Sequence, residues 1–129
     1  MVPILRVARP TDDLEALLPF YVDGLGFEIL FRFDNHAGFD GVMLGQAGSP
    51  YHLEFTHHRG HRVGRAPSQD HLLVFYLPDP DAYGAAVDRM AKAGIAPVAA
   101  YNPYWDAHGC TFEDSDGYRV VLCREAWRR

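Results

Sequence analysis

The chain contains one pattern of residues twice. Gly26 recurs at Gly94, an offset of 68 residues, and Gly41 recurs at Gly109 with the same offset. In each half, an amphipathic helix that ends in glycine is followed by three short apolar runs. Two copies with so long a period are too few for a solenoid, so the repeat predicts a duplicated module whose copies bury one shared face. Equivalent positions of the two copies are then expected to converge on one site.

Length and composition favour a single domain. With 129 residues, 48% of them hydrophobic, the chain is long enough for one compact core, whereas each half alone would be near the lower limit for folding. We expect one domain over residues 1–129, with module one at about 1–57, a link at 58–70 and module two at about 71–126.

Charge and hydropathy argue against two classes of partner. The formal net charge is −5, and an acidic excess disfavours nucleic-acid binding because phosphate contacts need clustered Lys and Arg. No apolar run approaches the roughly 18 residues of a membrane span, and the first residues lack the apolar core of a signal peptide. We therefore expect a cytoplasmic protein that binds neither nucleic acid nor membrane.

One helix is predicted in each module. The first is expected to begin at a capping box formed by Asp12 and Glu15, to kink at Pro19 and to end at Gly24. The second is expected to begin at Asp79, which is followed by a proline at the first helical position, and to end at Gly94.

Periodicity assigns the element order βαβββ to both modules. Strands are expected at 2–8, 27–33, 41–45 and 51–57 in module one, and at 71–77, 97–101, 110–113 and 119–123 in module two. The predicted fold is therefore α+β, with two tandem βαβββ modules whose curved sheets surround a cleft.

The fourth strand carries an unusual polar face. Alternation puts His52, Glu54 and Thr56 on one face and Leu53 and Phe55 on the other. The apolar pair suits the side that packs on the helix. The polar trio is then expected to point into the cleft.

These features resemble the vicinal oxygen chelate superfamily, the group of glyoxalases, bleomycin-resistance proteins and ring-cleaving dioxygenases. The matching stretches are Gly24–Phe27, His52–Phe55 and Phe112–Tyr118. The duplicated architecture makes this combination more specific than any single motif. Further segments, such as residues 51–56 and 102–105, resemble a bacterial subgroup without an assigned reaction. The resemblance also implies a homodimer, with each cleft lying within one chain or shared between two.

The resemblance implies four converging positions on the first, fourth, fifth and eighth strands. These are Arg6, Glu54, His71 and Val121. Metal-using relatives place metal ligands there, but Arg6 has no lone pair to offer and Val121 has no donor. We therefore prefer no metal cofactor. A divalent metal held by His52, Glu54 and His71 is the alternative, because three protein ligands and water can suffice.

Two interpretations of the charged residues remain open. Arg6 can supply the positive charge that a metal would have supplied and bind Glu54 through a charge-assisted hydrogen bond. It can also simply neutralise a buried carboxylate in a structural pair. His71 is either a base that acts with Glu54 as a catalytic residue or a hydrogen-bonded core histidine. The sequence leaves open whether the protein is an enzyme.

An aromatic segment at residues 101–109 precedes the seventh predicted strand. Because it contains Pro103, it is expected to be a loop, and its Tyr104 and Trp105 either line the cleft or plug the core. The expected ligand-binding set is Arg6, His52, Glu54, His71, Tyr104, Trp105 and Val121. The predicted function is binding of a small organic molecule between the modules, and the alternative is a metal-dependent lyase, isomerase or dioxygenase.

Overall fold

The computed structural model describes residues 1–128. Its strands are β1 (Leu5–Pro10), β2 (Glu28–His36), β3 (Phe39–Gly45), β4 (Tyr51–His58), β5 (Leu72–Tyr76), β6 (Gly109–Glu113) and β7 (Arg119–Cys123). Its helices are α1 (Leu14–Leu18), a π-helical segment (Pro19–Gly24), α2 (Pro80–Lys92) and α3 (Pro103–His108). The predicted α+β class is confirmed.

The strands form two sheets with related topology. The first sheet has the order β1-β4-β3-β2, and the second has the order β5-β7-β6. In each sheet the first strand of the module is parallel to the last, as β1 is to β4 and β5 is to β7, and the other pairs are antiparallel. Each module therefore contains two parallel strands that are separated in the sequence by a helix, as the repeat predicts.

The prediction of a strand at 97–101 is wrong. Among the described residues this segment has a single bridge, from Val98 to Thr111. Pro97 has no N–H for a ladder, and the carbonyl of Ala99 accepts a hydrogen bond from Arg119 Nη1 at 3.0 Å. The second sheet is therefore one strand smaller than the first.

The first helix begins one residue later than predicted. Asp13, not Asp12, is the N-cap, and its side chain accepts a hydrogen bond from the amide of Ala16. Asp12 instead accepts the amide hydrogens of Val63 at 2.8 Å and Gly64 at 2.9 Å in the link between the modules. These two bonds lower the pKa of Asp12. The carboxylate that was expected to cap a helix thus holds the link.

Pro19 marks a change of helix geometry. The α-helix ends at Leu18 and the chain continues as the π-helical segment through Gly24, because Pro19 cannot donate the next backbone hydrogen bond. The second helix follows its prediction: Asp79 caps the amide of Ala82, and Gly94 adopts a φ of 79° just after the end.

The core lies between the sheets and the helices. Buried side chains from both modules form one cluster that includes Leu17, Tyr21, Leu53, Phe55, Met90, Phe112, Val120 and Leu122. Leu53 and Phe55 thus face the helices, as alternation predicts. In the described part of the chain, no helix combines the length and the apolarity needed to cross a bilayer.

Candidate functional site

Three predicted site residues meet on the open face of the first sheet. β1 runs parallel to β4 with Arg6 opposite His52 and Ala8 opposite Glu54. Arg6 Nε donates a hydrogen bond to His52 Nε2 at 2.9 Å, and Arg6 Nη1 lies 3.8 Å from Glu54 Oε2. We call Arg6, His52 and Glu54 the polar cluster.

The hydrogen bond in the polar cluster differs from the expected one. Arg6 bonds to His52, and its contact with Glu54 is an ion pair without a hydrogen bond. Because a guanidinium only donates, His52 Nε2 must be the acceptor, which places the histidine proton on Nδ1. The Arg6 side chain is 47% exposed and that of Glu54 is 15% exposed, so the pair is not a fully buried structural one.

Apolar side chains surround the polar cluster. Cross-strand pairing puts Met43 beside Glu54 and Phe31 beside Met43, and cross-strand partners share a face. Arg6 Nη2 lies 3.7 Å from the sulfur of Met43. Phe33 lies across Gly41, where an added Cβ would be 2.1 Å from the ring. Sequence reasoning missed Phe31, although strand alternation puts it on the same face of β2 as Phe33.

His71 lies apart from the polar cluster. It is exposed just before β5, its Nδ1 is 2.8 Å from Ser68 Oγ, and its ring meets that of Tyr118 edge-on with centroids 6.2 Å apart. No hydrogen bond or ion pair within residues 1–128 joins His71 to Glu54. A shared catalytic role for His71 and Glu54 stays a prediction.

Tyr104 and Trp105 lie in a helix, not in a loop. Pro103 occupies the first turn of α3, where its missing N–H costs nothing, and Asn102 caps the amide of Tyr104. Tyr104 packs against Trp105 with centroids 5.0 Å apart and against His108 at 4.2 Å. His108 in turn bonds to Glu125 at 3.1 Å, which lowers the pKa of that carboxyl.

Val121 is enclosed within module two. It lies in the middle of β7 between Val74 of β5 and Thr111 of β6, and it is 0% exposed. The described chain by itself therefore gives a ligand no exposed surface at Val121. Its assignment to the ligand-binding set stays a prediction.

The residues present do not fit a divalent-metal site. No three His, Cys, Asp or Glu side chains within residues 1–128 are placed to share an ion. The Nε2 lone pair of His52 is occupied by the Arg6 hydrogen bond, and the guanidinium beside Glu54 would repel a cation. The alternative set of His52, Glu54 and His71 is therefore not favoured.

Comparison with known proteins identifies the family. Residues 5–56 match the YycE-like N-terminal domain and residues 70–124 the YycE-like C-terminal domain. The YycE protein of Bacillus subtilis strain 168, which is uncharacterized, is 41% identical over 118 residues, covering 92% of this chain and 85% of YycE.

Solved structures agree with this assignment. A crystal structure of a YycE protein of unknown function from Bacillus subtilis has a TM-score of 0.85 and 39% identity, covering 95% of this chain and 90% of that one. Glyoxalase I of Leishmania major shares the fold, with a TM-score of 0.71, 21% identity and coverage of 95% and 86%. The chain therefore belongs to the YycE-like family and has the vicinal oxygen chelate fold of glyoxalases and bleomycin-resistance proteins.

Proposed function

We propose that the chain binds a small organic molecule at the polar cluster, through a carbonyl or anionic oxygen that accepts from Arg6, without a metal ion. The observation that carries this proposal is the hydrogen bond from Arg6 Nε to His52 Nε2. It uses one N–H of the guanidinium to fix the orientation of the others, and it removes the imidazole lone pair that a metal would need.

The remaining guanidinium donors support binding of an oxygen atom. Nη1 is 3.8 Å from Glu54, beyond hydrogen-bond distance, and Nη2 contacts only the weakly accepting sulfur of Met43 at 3.7 Å. Both groups therefore keep N–H donors for a ligand. The geometry of a guanidinium suits two parallel bonds to one carboxylate or a shared bond to one carbonyl.

The apolar surroundings support an organic ligand rather than a free inorganic anion. Ligand sites combine mostly apolar walls with a few polar groups that fix orientation. Met43, Phe31 and Phe33 supply such walls beside the polar cluster, and Phe31 is 57% exposed.

We also propose that a second copy of the chain covers this face. An exposed apolar sheet face next to the polar cluster is typical of an interaction surface. Tyr104 and Trp105 belong to module two, and no described hydrogen bond or ring contact connects them to the polar cluster. In a homodimer, the partner's module two would complete the cleft.

Thermal-shift and calorimetric titrations with aromatic carbonyl compounds test the binding proposal. Benzamide and benzoate provide a neutral and an anionic oxygen on the same ring, and a ligand that binds the native state raises the melting temperature. We expect the Arg6→Gln variant to bind about tenfold more weakly or worse, because a charge-assisted hydrogen bond is lost.

Arg62→Gln is the matched control, since Arg62 is exposed in the link. Affinity retained in Arg6→Gln, or absence of binding across a panel of such compounds, would contradict the proposal. Elemental analysis of protein purified without added metal tests the proposal that binding needs no metal ion. A stoichiometric divalent metal that is lost on His52→Ala would show that the cluster is a metal site after all.

A further inference from the structure

A pocket lies between the two modules, on the helix side of the sheets. Its volume is about 210 Å³, and its main walls are Phe27, Tyr51, Phe75, Leu77, Ala86 and Leu122. We call it the seam pocket. It exceeds the roughly 150 Å³ of an apolar protein cavity that takes up benzene. The volume is therefore sufficient for a single six-membered ring.

Three aromatic rings form one side of the seam pocket. Phe27 and Phe75 have centroids 5.8 Å apart, Tyr51 and Phe75 are 5.9 Å apart, and Phe27 and Tyr51 are 6.5 Å apart. These separations lie in the range of favourable ring contacts, and the edge-on and tilted geometries are typical of packed aromatic clusters. Another aromatic ring would extend the cluster.

Few polar groups border the seam pocket. Tyr51 contributes a phenol, and burial raises its pKa, so the hydroxyl stays protonated at neutral pH. Burial alone causes this shift, and no hydrogen bond from the described residues contributes to it. Gln46, in the turn between β3 and β4, adds an amide that both donates and accepts. The pocket therefore offers hydrogen bonds but no charge.

The seam pocket is separate from the polar cluster. Successive side chains of a strand point to opposite faces, so Tyr51 and His52 of β4 lie on opposite sides of the sheet. We propose that the seam pocket is a second binding site, for an uncharged single-ring aromatic compound with one hydroxyl or carbonyl substituent. This inference goes beyond binding at Arg6 and does not depend on it.

Phenol titrations followed by NMR test the inference. We expect saturable binding of phenol to the full-length protein, with chemical-shift changes at the residues that line the seam pocket. Ala86→Leu fills the pocket and should weaken phenol binding about tenfold or more. Ala85→Leu, on the exposed side of α2, makes the same change outside the pocket and should leave the affinity unchanged. Tyr51→Phe should weaken phenol binding about fivefold but leave toluene binding unchanged, because only one hydrogen bond is lost.

Three results would overturn the inference. They are absence of saturable phenol binding, equal affinity in the native chain and the folded Ala86→Leu variant, and loss of phenol binding in Arg6→Gln with retention in Ala86→Leu. The last result would place the ligand at the polar cluster. If Ala86→Leu does not fold, Leu77→Phe fills the same pocket from another wall.

Discussion

Tyr21 and Asp114 join the two modules through one buried hydrogen bond. The Tyr21 hydroxyl donates to Asp114 Oδ2 at 2.7 Å, and Oδ1 accepts the amides of Asp116 and Tyr118. Burial raises the pKa of Tyr21 well above its usual value and also raises the pKa of Asp114. The bond satisfies two polar groups that would be costly to leave unpaired in the core.

Tyr21→Phe tests this hydrogen bond. At pH 7 we expect the free energy of unfolding to fall by about 1–3 kcal/mol, because Asp114 Oδ2 loses its hydrogen-bond donor in the core. The pKa of Tyr21 is raised in the folded state, so the unfolded chain loses this proton first as pH rises. The stabilisation by the protonated Tyr21 hydroxyl is therefore complete below about pH 10. Above that pH the stabilisation declines by at most about 1.4 kcal/mol per pH unit.

Urea denaturation from pH 7 to pH 11 measures both effects. The stability difference between the native chain and Tyr21→Phe should narrow above pH 10. Tyr101→Phe is the control, since Tyr101 is 66% exposed and should show no such trend. A constant difference across the whole range would show that Tyr21 is not protected from ionisation.

At the scale of elements, α2 packs against the π-helical segment at Gly24. A Cβ added at Gly24 would lie 2.7 Å from Ile95 Cδ1 and 2.7 Å from the sulfur of Met90. Met90 is fully buried at this contact. The absence of a side chain at Gly24 therefore lets the two helical segments approach closely, and this approach connects the modules.

Gly24→Ala should destabilise the protein by about 1 kcal/mol or more, because overpacking a close contact typically costs about 1–3 kcal/mol. The atoms it meets are the ends of flexible side chains, which keeps the cost moderate. Gly84→Ala is the matched control within α2, where the added Cβ would have no neighbour within 4 Å apart from the adjacent residues and the backbone of its own helix.

Gly84→Ala should stabilise the protein by about 0.5–1 kcal/mol through helix propensity. Chemical denaturation midpoints measure both variants. Equal stabilisation by the two substitutions would mean that Gly24 is not at a close contact.

At the scale of the molecule, the polar cluster and the aromatic helix α3 belong to different modules. The core and the seam pocket occupy the region where the two modules of one chain meet. The face that carries Arg6, Met43 and Phe31 is on the other side of the first sheet. This arrangement is the basis for proposing that the cleft is completed by a second copy.

Phe31→Glu tests the proposed dimer. We expect sedimentation to give the native chain a mass near twice its 14.5 kDa, and the variant a mass near that of one chain. A buried unpaired carboxylate at an interface is strongly unfavourable, whereas in an isolated chain Phe31 is already mostly exposed. Val63→Glu, at a link residue that is 48% exposed, should remain dimeric. A native chain that sediments as a monomer at all concentrations would rule the dimer out.

Local patterns explain why part of the fold was predictable. The repeat, the alternation of β4 and the cap at Asp79 each depend on neighbouring residues, so they are visible in the sequence. Pro103 was misleading because the same residue can end one helix or begin another. Asp12 was misleading because its partners, Val63 and Gly64, are distant in sequence.

The duplicated α+β architecture and the shared face of His52 and Glu54 follow from the amino-acid sequence, because a repeat and strand alternation are local properties. Arg6 joined this set through the resemblance to the vicinal oxygen chelate superfamily. The packing of the folded chain, in contrast, sets the hydrogen bond of Arg6 to His52 rather than to Glu54. It also separated His71 from this cluster and opened the seam pocket. These outcomes depend on how side chains from distant segments share space, and packing at that level is not encoded in any short stretch of residues.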